Sequence, residues 1–154
     1  MKHWTLQIRP NQIRPLLDQP TIEKLQDHYL DKVNGNYTEW LKNVLNLEMK
    51  DWKSPTNKPE TDENQKFRTT APKDVIQMIL QIMNVASKML GEQVTEKAFV
   101  VSLVQFVNFG HLYKDAVVEY KNEYFADRNK YIHCFTSYMI AISNNCEVFQ
   151  VGIK

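Results

Sequence analysis

Glycine is scarce in this chain, with four among 154 residues. That scarcity speaks against a turn-rich β fold and against glycine loops that cradle phosphate. Cysteine is scarcer still, Cys134 and Cys146 alone. On one expected helix their Cα atoms would stand about 18 Å apart at 1.5 Å rise per residue, too far for a disulfide. They read as reduced, buried thiols of a cytosolic protein. An apolar run of about eighteen residues, the length a membrane helix needs, is missing, and so is a signal-peptide core at the N-terminus. The expectation is a soluble cytoplasmic protein. One-sided charge is missing as well: 19 basic and 18 acidic residues leave a formal charge of +1. No overall field draws in nucleic acid or an anionic membrane.

Helical periodicity fills the space that these absences leave. Phe99, Leu103, Phe106, Gly110, Tyr113, Val117, Tyr120 and Tyr124 recur at fours and threes, a spacing close to that of a coiled coil. Ala98, Val101, Phe109, Leu112 and Ala116 widen this stripe into a face suited to several neighbours. It reads as core, with Gly110 as the small residue that lets another helix cross closely. Upstream, Ile22, Leu25, Tyr29, Val33, Tyr37, Trp40, Val44 and Leu47 predict a first helix from Thr21, flanked by Leu41, Leu45 and Trp52 and weakened around Gly35. Pro72 and Gly91 bracket a second helix with two apolar seams, one through Val75, Ile79, Ile82, Ala86 and Met89, the other through Ile76, Leu80, Met83 and Leu90. The third helix is predicted from Gln93 to Phe125. A fourth follows through Ile132, Phe135, Met139, Ile142, Cys146 and Phe149. Short connections after the second and third helices imply antiparallel neighbours. The fold class is all-α, an elongated antiparallel bundle of about four long helices.

Residues 1–20, with Pro10, Pro15 and Pro20, read as an irregular segment despite Trp4, Ile8, Ile13 and Leu16. Residues 21–154 form the helical-bundle domain, with a polar loop at 53–71. That loop reads as mobile, crossing one end of the bundle with Phe67 pinned near the next helix.

Catalytic motifs are missing: neither nucleophile elbow, zinc helix, paired cysteines, dinucleotide fingerprint nor Walker loop occurs. His28, His111 and His133 fall on three different predicted helices, and adjacent His133 and Cys134 point about 100° apart. No catalytic, cofactor-binding or metal residue is therefore expected, and no cofactor. Asp115, Glu119, Glu123 and Asp127 step by four, beside Lys114, Lys121 and Arg128, and read as a solvated, ion-paired face.

Residues Tyr138-Met139-Ile140-Ala141-Ile142-Ser143-Asn144-Asn145-Cys146, followed by Phe149, resemble a signature stretch of the exocyst complex component 3 family. Further pieces fall in the same order: Trp40-Leu41 and Asp51-Trp52, then Thr70, Pro72, Gln77-Met78, Gln81 and Val85-Ala86, then Phe109, Tyr113-Lys114, Tyr120-Lys121, Glu123 and Arg128. The similarity runs from Leu25 to Phe149, and Ser143 stands where the family pattern has an apolar residue. Family members are several times longer, so the resemblance implies an internal fragment or truncated relative, a slice of a helical-rod tethering fold. It also implies a non-enzymatic role in tethering secretory vesicles to the plasma membrane before SNARE-mediated fusion. The partners it implies are other exocyst subunits and SNARE proteins or a Sec1/Munc18-type regulator, with no nucleic acid. Localisation would be cytoplasmic, with peripheral recruitment to the plasma membrane at sites of exocytosis. The alternative is a phosphoinositide- or membrane-associated helical module. A slice of a rod would leave apolar surface open at Trp4, Ile8, Ile13 and Leu16 and at Phe135, Met139, Phe149 and Val151, so the isolated fragment is expected to self-associate.

Overall fold

A computed structural model describes residues 16–152, with side chains for 16–150; Trp4, Ile8 and Ile13 lie outside these residues, as does the side chain of Val151. The first helix, α1 (Gln19–Trp52), starts two residues earlier than expected because Asp18 caps it. The Asp18 carboxylate accepts from the Thr21 N–H at 3.1 Å, and Pro20 sits in the first turn, where its missing N–H costs nothing. The helix runs without a break through Gly35. Two short strands follow, β1 (Glu60–Thr61) and β2 (Phe67–Arg68), then α2 (Ala71–Met89), α3 (Glu92–Ala126) and α4 (Phe135–Gly152). Gly91, at φ 84°, makes the left-handed turn between α2 and α3 that a side chain would strain.

Cross-chain contacts give the direction of each helix. Lys97 faces Asp27, Ser102 faces Tyr37, Tyr113 approaches Glu48, and Glu119 meets Lys53. So α3 runs parallel to α1, while α2 and α4 run the other way. The four helices alternate in direction, and α3 alone extends about 50 Å at 1.5 Å per residue.

The core seam of α3 is rotated from the expected one. Val94, Ala98, Ser102, Phe109, Tyr113, Ala116 and Tyr120 are buried, whereas Phe99, Leu103, Leu112 and Gly110 are exposed. One residue step is about 100° around a helix. The small side chains of Ala98 and Ser102 let α1 approach closely, and Tyr37 and Ser102 share a hydrogen bond of 2.6 Å there. That contact fixes the rotation and turns Phe99 and Leu103 outward. No helix crosses at Gly110, where an added Cβ would meet nothing within 4 Å. On α1 the buried line is Val33, Tyr37, Leu41, Leu45, Glu48 and Trp52, with Leu25, Trp40 and Leu47 left exposed. On α2 the first seam is buried at Val75, Ile82 and Ala86, while Leu80 and Met89 face outward.

The 53–71 stretch is more than a loop. β1 and β2 pair antiparallel, Glu60 with Arg68 and Thr61 with Phe67. Asp62 organises the turn, accepting from the N–H groups of Asn64 and Lys66 at 2.9 and 3.0 Å and pairing with Arg68. Cys134 is buried in the turn before α4, outside the helix, while Cys146 is exposed; both are free thiols. Ile132, exposed, also precedes α4.

Candidate interaction surfaces

Two regions of the bundle carry side chains in arrangements that packing alone does not require. The first lies where α1 ends, β2 passes and α4 turns back. Burial and apolar chemistry bring Glu48 and Trp52, one turn apart on α1, to the same inward face. The Trp52 indole N–H donates to Glu48 at 3.1 Å, and the Tyr113 hydroxyl stands 3.5 Å from the same carboxylate oxygen. Burial holds the Glu48 carboxyl above its ordinary pKa, partly offset by hydrogen bonds from Thr69, the Ala71 N–H and Trp52. Asn145, fully buried on α4, donates to the Thr69 hydroxyl at 2.7 Å and to the Tyr113 hydroxyl at 3.2 Å, and accepts from the Thr69 N–H at 3.3 Å. Asn144 donates to the Phe67 carbonyl at 2.8 Å, and its own carbonyl accepts from Arg68 at 2.8 Å. Five elements, α1, β2, α2, α3 and α4, are thereby tied by buried and half-buried polar groups.

Ion pairs reinforce this end. Lys53, just past α1, donates to Glu119 at 3.1 Å and to Glu123 at 2.7 Å; Lys130 and the Tyr131 hydroxyl reach Glu123 at 3.2 and 2.6 Å. Lys53, then Tyr131 and Lys130, pull the Glu123 carboxyl down to about 2. Glu119 and Glu123 of α3 are thus neutralised by residues from outside the helix. The expectation that Lys114 and Lys121 pair with them is not met, because the residues three and four positions away from either lysine are uncharged on both sides.

The second region is apolar. Phe149 of α4 stands 5.7 Å from the Phe106 ring and 5.9 Å from the rings of Phe109 and Tyr113. Large rings hold the α3 and α4 backbones apart, whereas α1 and α3 approach one another more closely. The gap leaves a groove of about 340 Å³ along Phe106, Gly110, Val117 and Val118 on one side and Ile142, Cys146 and Gln150 on the other. A smaller hollow of about 110 Å³, bounded by Ile76, Phe99 and Leu103, continues it past the shared rings of Phe106 and Phe149. Beyond it the outer side of α3 stays apolar and exposed at Val100, Val104 and Val107. The open surface therefore lies chiefly on the first half of α3. Phe135, Met139 and Phe149 of α4, expected to be open, are half-buried; Leu16 is fully exposed.

His28 on α1 and His111 on α3 are exposed and far apart along the chain, and His133 lies in the turn before α4 instead of on a helix. Among the described residues no cluster of three or more histidines, cysteines or carboxylates forms a metal cage, and no helix is long and apolar enough to cross a membrane. Sequence reasoning passed over Glu48 and Asn145 as site residues. Glu48 was detectable, since it interrupts the apolar line from Leu41 and Leu45 to Trp52. The adjacent asparagines within the signature stretch were a second signal.

These features define a helical bundle domain that locks one end with polar contacts and leaves an apolar face open. The sequence pattern of the family described as "Exocyst complex component Sec6" matches residues 1–151. The chain is 35% identical over 136 residues to exocyst complex component 3 of Drosophila melanogaster, covering 88% of this chain and 18% of the relative. It is 32% identical over 131 residues to exocyst complex component 3 of Caenorhabditis elegans, covering 85% and 16%. The crystal structure of the C-terminal domain of the exocyst subunit Sec6p superimposes with a TM-score of 0.71 at 18% identity, over 91% of this chain and 39% of that one. The chain belongs to the Sec6 exocyst component family. It spans less than a fifth of the length of the curated relatives it matches.

Proposed function

We propose that this chain is a segment of an exocyst subunit that acts, without enzymatic chemistry, in tethering secretory vesicles to the plasma membrane before SNARE-mediated fusion. Its helical faces bind other exocyst subunits, and SNARE proteins or a Sec1/Munc18-type regulator are further partners. It works in the cytoplasm, recruited peripherally to the membrane. The observation that carries this reading is the open apolar face: Phe99, Val100, Leu103, Val104 and Val107 are 40–58% exposed on the helix that organises the core. Contiguous exposed apolar surface beyond a few hundred Å² marks a contact site. For the same reason the isolated chain is expected to self-associate as its concentration rises, which analytical ultracentrifugation reads directly.

The test is co-purification of the tagged chain with recombinant exocyst subunits, alongside sedimentation with phosphatidylserine and phosphoinositide vesicles. Stoichiometric retention of at least one subunit, lost in Phe99→Ser/Val104→Ser, is the expected result. Sedimentation with anionic vesicles in the absence of any retained subunit would overturn the reading in favour of a membrane-associated module.

A further inference from the structure

We propose that the groove between α3 and α4 docks an amphipathic helix of another exocyst subunit, apolar where it enters the groove and acidic along the edge that faces α3. This inference rests on the reading of the chain as part of a tether and adds the chemistry of the partner. Three observations carry it.

The groove is apolar on its floor and both walls, so it offers almost no hydrogen-bond partners to an entering backbone. A segment that lies there must satisfy its own N–H and C=O groups, which a helix does and an extended strand does not. The stretch from Phe106 to Val118 extends about 18 Å at 1.5 Å per residue, room for more than three helical turns.

Charge gives the second observation. Among the described residues Lys114 is the only charged side chain on the groove lining, and Lys121 lies two turns further along the same side of α3. Neither takes part in an ion pair among the described residues. The acids Glu119 and Glu123 lie on the other flank, where Lys53 and Lys130 already hold them. The α4 wall contributes Ile142, Cys146, Phe149 and Gln150, all uncharged. Among the described residues the groove is thus basic along one edge and neutral along the other, a pattern complementary to a helix with carboxylates on one flank. A second copy of this chain presenting the same edge would set lysine against lysine.

The third observation supplies the readout. Cys146 lines the groove and is exposed, whereas Cys134 is buried in the turn before α4. Iodoacetamide alkylation followed by mass spectrometry therefore reports groove occupancy at Cys146, with Cys134 as the internal control.

The experiment measures alkylation of the whole chain alone, with purified exocyst subunits, with phosphatidylserine vesicles, and over a range of its own concentration. A bound subunit is expected to slow Cys146 alkylation by about tenfold or more. The Lys114→Glu/Lys121→Glu variant should weaken that binding by about tenfold, as reversal of two rim charges implies. The wild-type interaction should weaken with added salt, a measurement that needs no variant. Retention of a subunit with Cys146 still open and no salt dependence would overturn the groove assignment and leave the tether reading intact. Failure of every subunit to bind would overturn both. Protection of Cys146 by vesicles, or by the chain itself at high concentration, would overturn the proposal in favour of that occupant.

Discussion

The closed end and the open face of this bundle differ in what lies between the helices. At the closed end Trp52 is fully buried, with its ring 5.5 Å from Tyr113 and 5.7 Å from Tyr120, and Glu48 and Asn145 are buried with their polar atoms paired. Along the open face Phe99, Val104 and Val107 meet solvent, and the α3–α4 gap is bridged by rings instead of closed by backbone approach. Apolar contact without direction tolerates many partners and rotations. Buried hydrogen bonds accept few, because each misaligned donor or acceptor is left unpaired. The closed end therefore fixes one arrangement of α1, β2, α2, α3 and α4. The open face remains available for association.

The largest break in this contrast is expected from Trp52→Ala, which empties the centre of the closed end. It should lower unfolding free energy by about 3–5 kcal/mol in a urea titration. Asn145→Ala comes next. It strips partners from Thr69 and the Tyr113 hydroxyl, and should cost about 2–3 kcal/mol while making the hairpin at 60–68 the first site cut by limited proteolysis.

The two buried or paired carboxylates of the closed end should titrate in opposite senses. The Glu123 pKa falls from 4.5 to about 2 on folding, so its contribution is present above pH 4.5 and is lost as pH drops through about 2. The Glu48 pKa rises on folding, so the folded state holds its proton more tightly. Its contribution is complete below about pH 4.5 and declines as pH rises through the folded-state value. Urea midpoints from pH 2 to 8 check this. Glu123→Gln should shrink the acid loss, and Glu48→Gln should flatten the decline on the alkaline side.

The smallest effects belong to the open face. Gly110→Ala should stabilise by about 0.5–1 kcal/mol, since the added methyl meets nothing and removes backbone freedom from the unfolded chain. Phe99→Ser should leave stability within about 0.5 kcal/mol, because nearly half of Phe99 is already exposed. A loss above about 2 kcal/mol there, the scale of a large core truncation, would mean that the face is closed in the isolated chain, and the contrast between the two regions would collapse.

Local chemistry alone was enough to place the helices along the chain. Pro72 and Gly91 bound α2 within two residues of its observed ends, and unbroken periodicity gave α3 from Gln93 to Phe125 against Glu92–Ala126 observed. Propensity, capping and turn stereochemistry act over a few residues and are written in the local sequence. Which side of α3 is buried was not. The apolar arc of α3 is wide enough to permit several rotations, and only the approach of α1 onto Ala98 and Ser102 selected one, leaving Phe99 and Leu103 outside. The hairpin was equally hidden, because strands of two residues have no readable period; they hold their shape through Asn144 and Asn145, more than seventy residues downstream. Contacts between residues distant in sequence decide rotation, closure and the lysine edge of the groove, since these depend on which surfaces meet after the helices exist.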